Sequence, residues 1–233
     1  KGIEFLMKKN KIDVHMGVAT LTAADTVKVV AEDGNESILS AKNIIVATGA
    51  RARALPNLPI DGKKVIEYRK AMSLEKQPAS LLVVGSGAIG VEFAYVYQSM
   101  GTQVTIVEYL PNLVPVEDEE VSKALEKSYK KMGVQILTNS AVESVDTSGP
   151  LCKVHVKTPT GMQVLEAEVV LSAAGIVPNI ENIGLEACGI ALDKGKIKVD
   201  DFVQWRSINF ILFFYHLLST FPVCWSFESR LSF

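Results

Sequence analysis

Short apolar runs alternate along this chain with stretches whose apolar positions recur every three or four residues, and the two periods mark strands and helices in turn. The sharpest run is Leu81–Val84, four apolar residues ended at once by Gly85, too short and too abruptly stopped for a helix. From Ala88 to Met100 the spacing is helical, and Gly101 stops it; Val104–Val107 is a second buried strand. Between Asp118 and Met132 the apolar residues Val121, Ala124, Leu125, Tyr129 and Met132 predict an amphipathic helix. Its acidic start and its Lys130–Lys131 end suit the helix dipole and read as ends in water. Val134–Leu137 is a third parallel strand. The pattern then changes to alternation over Ala141–Asp146, Cys152–Lys157 and Met162–Glu166, an antiparallel meander that Val169–Gly175 is expected to close.

Upstream, residues 1–10 read as the end of a helix and Val14–Ala19 as a short strand. Asp25–Ala31 and Glu36–Ala41 flank a turn at Glu32–Asn35, and Asn43–Gly49 is a buried strand ending in glycine. Arg51–Gly62, with Pro56 and Pro59, reads as a linker, and Tyr68–Leu74 as a short helix before Pro78. A meander followed by a glycine-ended strand thus occurs twice, with a proline a few residues beyond each glycine. The chain reads as the back end of one dinucleotide domain followed by a complete second one.

Candidate chemistry lies at the end of the Leu81–Val84 strand. Gly85, Gly87 and Gly90 form G-x-G-x-x-G between strand and helix, the dinucleotide-binding fingerprint. Gly85 allows the tight turn, Gly87 lets a pyrophosphate approach the backbone, and Gly90 lets the helix pack on the sheet. The helix N-terminus offers free N–H groups and a positive dipole end to phosphate. Glu108 follows Gly90 by eighteen residues and ends the next strand, where a carboxylate accepts a ribose hydroxyl. A carboxylate there repels a 2′-phosphate, so NAD is expected over NADP.

Composition narrows the function classes. The 233 residues are 48% hydrophobic with a net charge of −2, so neither nucleic acid nor a membrane surface is an expected partner. Cys152, Cys188 and Cys224 are far apart and give no redox or metal motif; scattered thiols favour a reducing compartment. The start at Lys1 is not signal-like and suggests a fragment or a processed product. From Phe202 the character changes: both tryptophans and seven of the nine phenylalanines lie in 202–233. Ile208–Phe227 has the length of a bilayer span, about 20 residues. Asn209, His216 and Pro222 weaken that reading, and an aberrant or truncated C-terminus is preferred to a tail anchor.

Four stretches, Asn43–Ala50 (NIIVATGA), Val83–Phe93 (VVGSGAIGVEF), Val104–Glu108 (VTIVE) and Ala173–Asn179 (AAGIVPN), together resemble the FAD-dependent pyridine nucleotide–disulfide oxidoreductases, most closely their dihydrolipoamide-oxidising members. They come in family order and spacing over roughly residues 1–201. The implied fold is α/β, a Rossmann-like NAD-binding domain of parallel sheet plus β-meander inserted after the back part of an FAD-binding domain. Its divisions are a partial FAD domain and linker over 1–77, the NAD domain over 78–176, a return toward the FAD domain over 177–201, and the atypical tail over 202–233.

The resemblance implies that Gly85, Ser86, Gly87, Ala88, Ile89, Gly90, Val91 and Glu92 hold NAD. Glu92, placed on the first turn of the helix, would reach toward the nicotinamide end; the plainer reading is a dipole-stabilising acid. Glu108 would hold the adenosine ribose, and Val142 and Gly175 would flank the cofactor, with a packing role as the alternative. Ala19, Thr48, Gly49 and Ala50 would lie against FAD. The resemblance implies dihydrolipoamide on a carrier domain of 2-oxo acid dehydrogenase complexes as partner and a homodimer in the full-length family, in the cytoplasm, or in the mitochondrial matrix or plastid of a eukaryote. This sequence departs from the family pattern in its missing first glycine motif, redox cysteine pair and dimerisation domain, and in Ile176, which replaces the usual arginine. His15, His155 and His216 match no catalytic position. The chain by itself is therefore expected not to oxidise dihydrolipoamide. The alternatives are another disulfide reductase of the superfamily and a non-catalytic NAD-binding module.

Overall fold

The computed structural model describes residues 2–200 and, beyond them, the backbone of 204–205 and 210–212; the remaining tail lies outside the described residues. Helix α1 (Gly2–Lys9) is followed by β1 (Val18–Ala23), β2 (Thr26–Val30), β3 (Glu36–Ser40), β4 (Ile44–Val46), β5 (Ala50–Ala52), β6 (Val65–Ile66) and helix α2 (Tyr68–Ala71). The alternating stretch is β7 (Ser80–Val84), α3 (Ala88–Ser99), β8 (Gln103–Val107), α4 (Glu119–Lys131) and β9 (Gln135–Leu137). Then come β10 (Ala141–Asp146), β11 (Cys152–Thr158), β12 (Gly161–Ala167), β13 (Val169–Ser172) and β14 (Ile176–Pro178). The short strands β15 (Leu192–Asp193), β16 (Lys196–Ile197), β17 (Gln204–Trp205) and β18 (Phe210–Leu212) end the series. The described residues form two compact units, residues 51–177 and residues 2–50 with those from 178 on.

In the unit of residues 51–177, five strands form a sheet in the order β6-β13-β7-β8-β9. The pairings of β13, β7, β8 and β9 are all parallel. Each buried strand is covered on both faces, which is why Leu81–Val84 carries no polar alternation. Leu81 and Val83 point, with Ile106 and Leu171, into a core shared with Val91, Ala94 and Tyr97 of α3 and Tyr129 of α4. Leu82 and Val84 point the other way, onto Val142, Val154 and Val156 of the meander β10-β11-β12. Each of these fully buried side chains contributes about 1.5–3 kcal/mol by leaving water. The helices start and stop where the sequence predicts: Asp118 caps the N-terminus of α4 by accepting the Glu120 N–H, and Gly101 and Gly133 turn the chain at φ +94° and +89° after α3 and α4.

Two expectations change here. Val169–Ser172 does not close the meander but enters the parallel sheet beside β7, pairing Leu171 with Val83 and Ser172 with Val84. An apolar run of this kind reports burial on both faces, and only the parallel sheet offers that. The stretch after Arg51 is more than a linker, since Leu58 is fully buried among Val65, Leu82 and Val170.

In the other unit, β1, β2 and β3 form an antiparallel meander, and β4 pairs in parallel with β18. Leu21, Val46, Leu185, Ile190 and Ile197 make its core. The first strand is shifted from the expected Val14–Ala19. Its register runs from Val18 opposite Val30 to Ala23 opposite Thr26, so residues before Gly17 have no β2 residue to pair with. Leu58→Ala should lower the stability of the unit of residues 51–177 by about 2–5 kcal/mol, the cost of an internal cavity, measured by chemical denaturation. An unchanged midpoint would show that the segment is not part of this core.

Candidate functional site

The glycine turn stands at the carboxyl end of β7. Gly85 has φ +99°, and a Cβ on it would lie 2.6 Å from the carbonyl oxygen of Ala173 at the end of β13. Its N–H donates to Val107 O at 2.9 Å, tying the turn to β8. Gly90 sits closer still, since a Cβ there would lie 2.0 Å from Gly85 O and 3.4 Å from Val83 Cγ1. Only glycine lets α3 lie on the strand end at this distance.

Gly87 differs from both. It is the N-cap of α3 at φ −63°, ψ 178°, carries no side-chain cap hydrogen bond, and a Cβ on it would meet nothing within 4 Å. Its bare face therefore opens on free space at a helix N-terminus, beside the half-buried Ala88 and Ile89. That is a fit for the phosphates of a dinucleotide. Val91 is buried, with its N–H already given to Gly87 O at 3.1 Å.

Glu108, at the end of β8, is only 6% exposed. Its Oε2 accepts both the N–H and the hydroxyl of Ser86, each at 2.7 Å, and its Oε1 accepts the Leu110 N–H at 2.7 Å. Its own N–H donates to Leu137 O and its carbonyl accepts from the Ser140 N–H, both at 2.8 Å. Ser86 is fully buried, and its carbonyl accepts the Val114 N–H at 2.9 Å. Val114 holds φ +41°, a strained position for a β-branched residue. The loop after Glu108 is thus fastened to the glycine turn.

The other expected residues of this unit divide. Val142 is buried with Val84 and Val107, and its carbonyl accepts a hydrogen bond from Asn57 Nδ2. Gly175, at φ +108°, accepts the Arg53 N–H at 3.0 Å, and the Arg53 guanidinium lies 3.6–3.8 Å from where a Gly175 Cβ would be. Glu92 is not on the first turn of α3, which has no acid, but on the next, exposed and outside the hydrogen-bonded cluster. Loss of solvent raises its pKa. Neighbouring Tyr129 is pushed up to about 12 by burial and then by Glu92 and Tyr95, and its hydroxyl donates to Val91 O at 2.7 Å.

In the unit of residues 2–50 and 178 on, Ala19 is exposed on β1, and Thr48 and Gly49 are exposed on the turn after β4, with Gly49 at φ +74°. Asn179 holds that turn: its N–H donates to Gly49 O at 3.0 Å and its Nδ2 to Thr48 O at 3.1 Å. Ala50, half-buried, begins β5, which pairs with β14. Sequence reasoning gave no role to Asn179, Leu110 or Arg53. Asn179 lay inside a motif stretch and could have been suspected; a backbone donor such as Leu110 leaves no signal in residue type. Among the described residues no group of His, Cys, Asp and Glu could hold a metal ion.

An open parallel sheet whose strand order reverses beside a glycine turn, with helices on one face and a β-meander on the other, is a Rossmann-like α/β fold, a class that binds its ligands at such a carboxyl-end crevice. The family is more particular: the pyridine nucleotide-disulphide oxidoreductase family matches residues 1–211, and the chain belongs to it. Dihydrolipoyl dehydrogenase of Zymomonas mobilis is 44% identical over 202 residues, which cover 86% of this chain and 43% of that protein. Its counterpart in Chlorobaculum parvum is 45% identical over 206 residues, with 86% and 43% covered. Among solved structures, LpdA from Mycobacterium tuberculosis superposes with a TM-score of 0.71 at 33% identity, covering 86% of this chain and 42% of that one. The HOCl-induced flavoprotein disulfide reductase RclA of Escherichia coli gives 0.74 at 25% identity, covering 90% and 49%. The chain thus spans less than half the length of each of these proteins.

The two glycines should separate by experiment. Gly90→Ala should cost about 3 kcal/mol or more of stability, because backbone rather than a flexible side chain meets the new methyl. Gly87→Ala should leave thermal unfolding within a degree or two, roughly ±0.5 kcal/mol, while weakening dinucleotide binding by calorimetry. Equal destabilisation by both would contradict the geometry.

Proposed function

We propose that this chain supplies the NAD site and part of the FAD site of a dihydrolipoyl dehydrogenase, which oxidises dihydrolipoamide and reduces NAD. The observation that carries the reading is the buried acid Glu108 beside an open glycine turn, in a chain whose 44–45% identical relatives bear that name. Gly87 and the first N–H groups of α3 take the pyrophosphate, and Glu108 accepts a hydroxyl of the adenosine ribose. A 2′-phosphate would bring like charge against that carboxylate, which supports NAD over NADP. Glu92, further along α3, reaches toward the nicotinamide end, and Val142 and Gly175 flank the cofactor. Ala19, Thr48, Gly49 and Ala50 offer small or exposed groups to the flavin.

Flavin and nicotinamide, when bound, supply the electron and hydride chemistry; the chain's residues bind and orient. The dithiol step needs a reactive thiol pair. Cys152 and Cys188 are both free, and burial pushes both thiols up, away from the thiolate. On this reading the chain by itself is inactive toward dihydrolipoamide. Dihydrolipoamide on a carrier domain of a 2-oxo acid dehydrogenase complex is the partner the reading implies, and the full-length protein forms a homodimer on it. Among the described residues no helix is long and apolar enough to cross a membrane.

Calorimetry on the purified chain tests this. NAD should bind more tightly than NADP, and Glu108→Gln should weaken NAD and narrow the gap by about 1.5–3 kcal/mol, the worth of a hydrogen bond to a charged acceptor. Added FAD and dihydrolipoamide should give no NAD reduction. Equal affinity for the two dinucleotides removes the NAD assignment, and turnover at an intact enzyme's rate removes the inactivity.

A further inference from the structure

The fingerprint treats Ser86 as part of a phosphate-binding turn, yet its polar groups are all spent inside the protein. Ser86 is fully buried; its N–H and Oγ both donate to Glu108 Oε2 at 2.7 Å, and its carbonyl takes the Val114 N–H at 2.9 Å. No donor is left for a phosphate oxygen. Glu108 is correspondingly constrained. An ionised carboxylate offers about four acceptor sites, and three are filled, two on Oε2 by Ser86 and one on Oε1 by Leu110.

We infer that Ser86 is a positioning residue for dinucleotide selection, which holds the Glu108 carboxylate so that a single acceptor site on Oε1 is left for one ribose hydroxyl. The inference rests on the NAD reading above and deepens it. A carboxylate anchored at one oxygen by two donors from the same residue cannot swing about its terminal torsion. Its remaining lone pair then keeps one direction, and an arriving hydroxyl meets a pre-oriented acceptor. A 2′-phosphate brings no donor for that site, and the fixed carboxylate cannot turn away from it. Without the Ser86 hydroxyl, Oε2 keeps only the backbone N–H, and the carboxylate gains freedom that binding must remove.

A double-mutant cycle in the full chain distinguishes action through Glu108 from a direct or merely structural role. The four proteins are wild type, Ser86→Ala, Glu108→Gln and the double variant, with calorimetric dissociation constants for NAD and NADP. Ser86→Ala should weaken NAD roughly tenfold, in line with one hydrogen bond to a charged acceptor, and narrow the NAD-to-NADP ratio. In the Glu108→Gln background the same change should cost less than twofold. An equal loss in both backgrounds overturns the inference, and so does an unchanged ratio in Ser86→Ala. Ser86→Gly, which keeps the N–H and lacks the hydroxyl, should behave as Ser86→Ala does. Thermal unfolding of the four proteins gives a readout without ligand. There, additive effects of the two changes overturn the Ser86–Glu108 coupling even if wild type binds no NAD, an outcome that sinks the NAD reading instead.

Discussion

The site depends on one close approach, that of α3 onto the end of β7. With hydrogen in place of a side chain at Gly90, the helix backbone comes against the carbonyl of Gly85; any Cβ would have to occupy the same space as that oxygen. A second approach, Gly85 against Ala173, brings in β13 from the other side. The chain leaves β7 toward β8 on one flank and later returns through β13 on the other. A crevice at the carboxyl ends follows from that topology. The glycines set how narrow it is and aim the helix N-terminus into it. The layers behind, with Leu81 and Val83 under the helices and Leu82 and Val84 under the meander, hold β7 rigid enough for such short distances to persist.

The central βαβ unit was legible because its signals are local. A four-residue apolar run, three glycines at fixed offsets and an acid at the end of the next run each constrain the chain within a few residues. What escaped was long-range or indifferent to residue type. Val169–Ser172 announces a buried strand, but its choice of Leu81–Val84 as partner, some ninety residues away in sequence, has no local mark. Leu58 lies between two prolines, and proline punctuation hides an apolar anchor. Apolar residues continue upstream of Gly17 and suggest an earlier first strand, whereas the short hairpin to Thr26–Val30 decides where pairing can begin.

The candidate site shows the same division at finer scale. That Glu108 would stand near the glycine turn could be read from spacing; that its carboxylate would be buried and held by three donors could not. Rotamers and backbone donors such as the Leu110 N–H depend on packing rather than composition. Asn179 is similar: the sequence marks it as part of a motif, and only the fold gives its task of clamping the Thr48–Gly49 turn.

The paired donors of Ser86 have a consequence for how this domain can change over generations. Replacing the acid at position 108 by a residue without an acceptor strands a buried N–H and a buried hydroxyl, and each orphaned group costs about 1–3 kcal/mol. A lineage that loses the acid would need either a new acceptor for those donors or a prior change at position 86 that removes them. Positions 86 and 108, twenty-two residues apart in sequence, are in that sense one evolutionary unit, and the order in which they change decides whether the intermediate still folds.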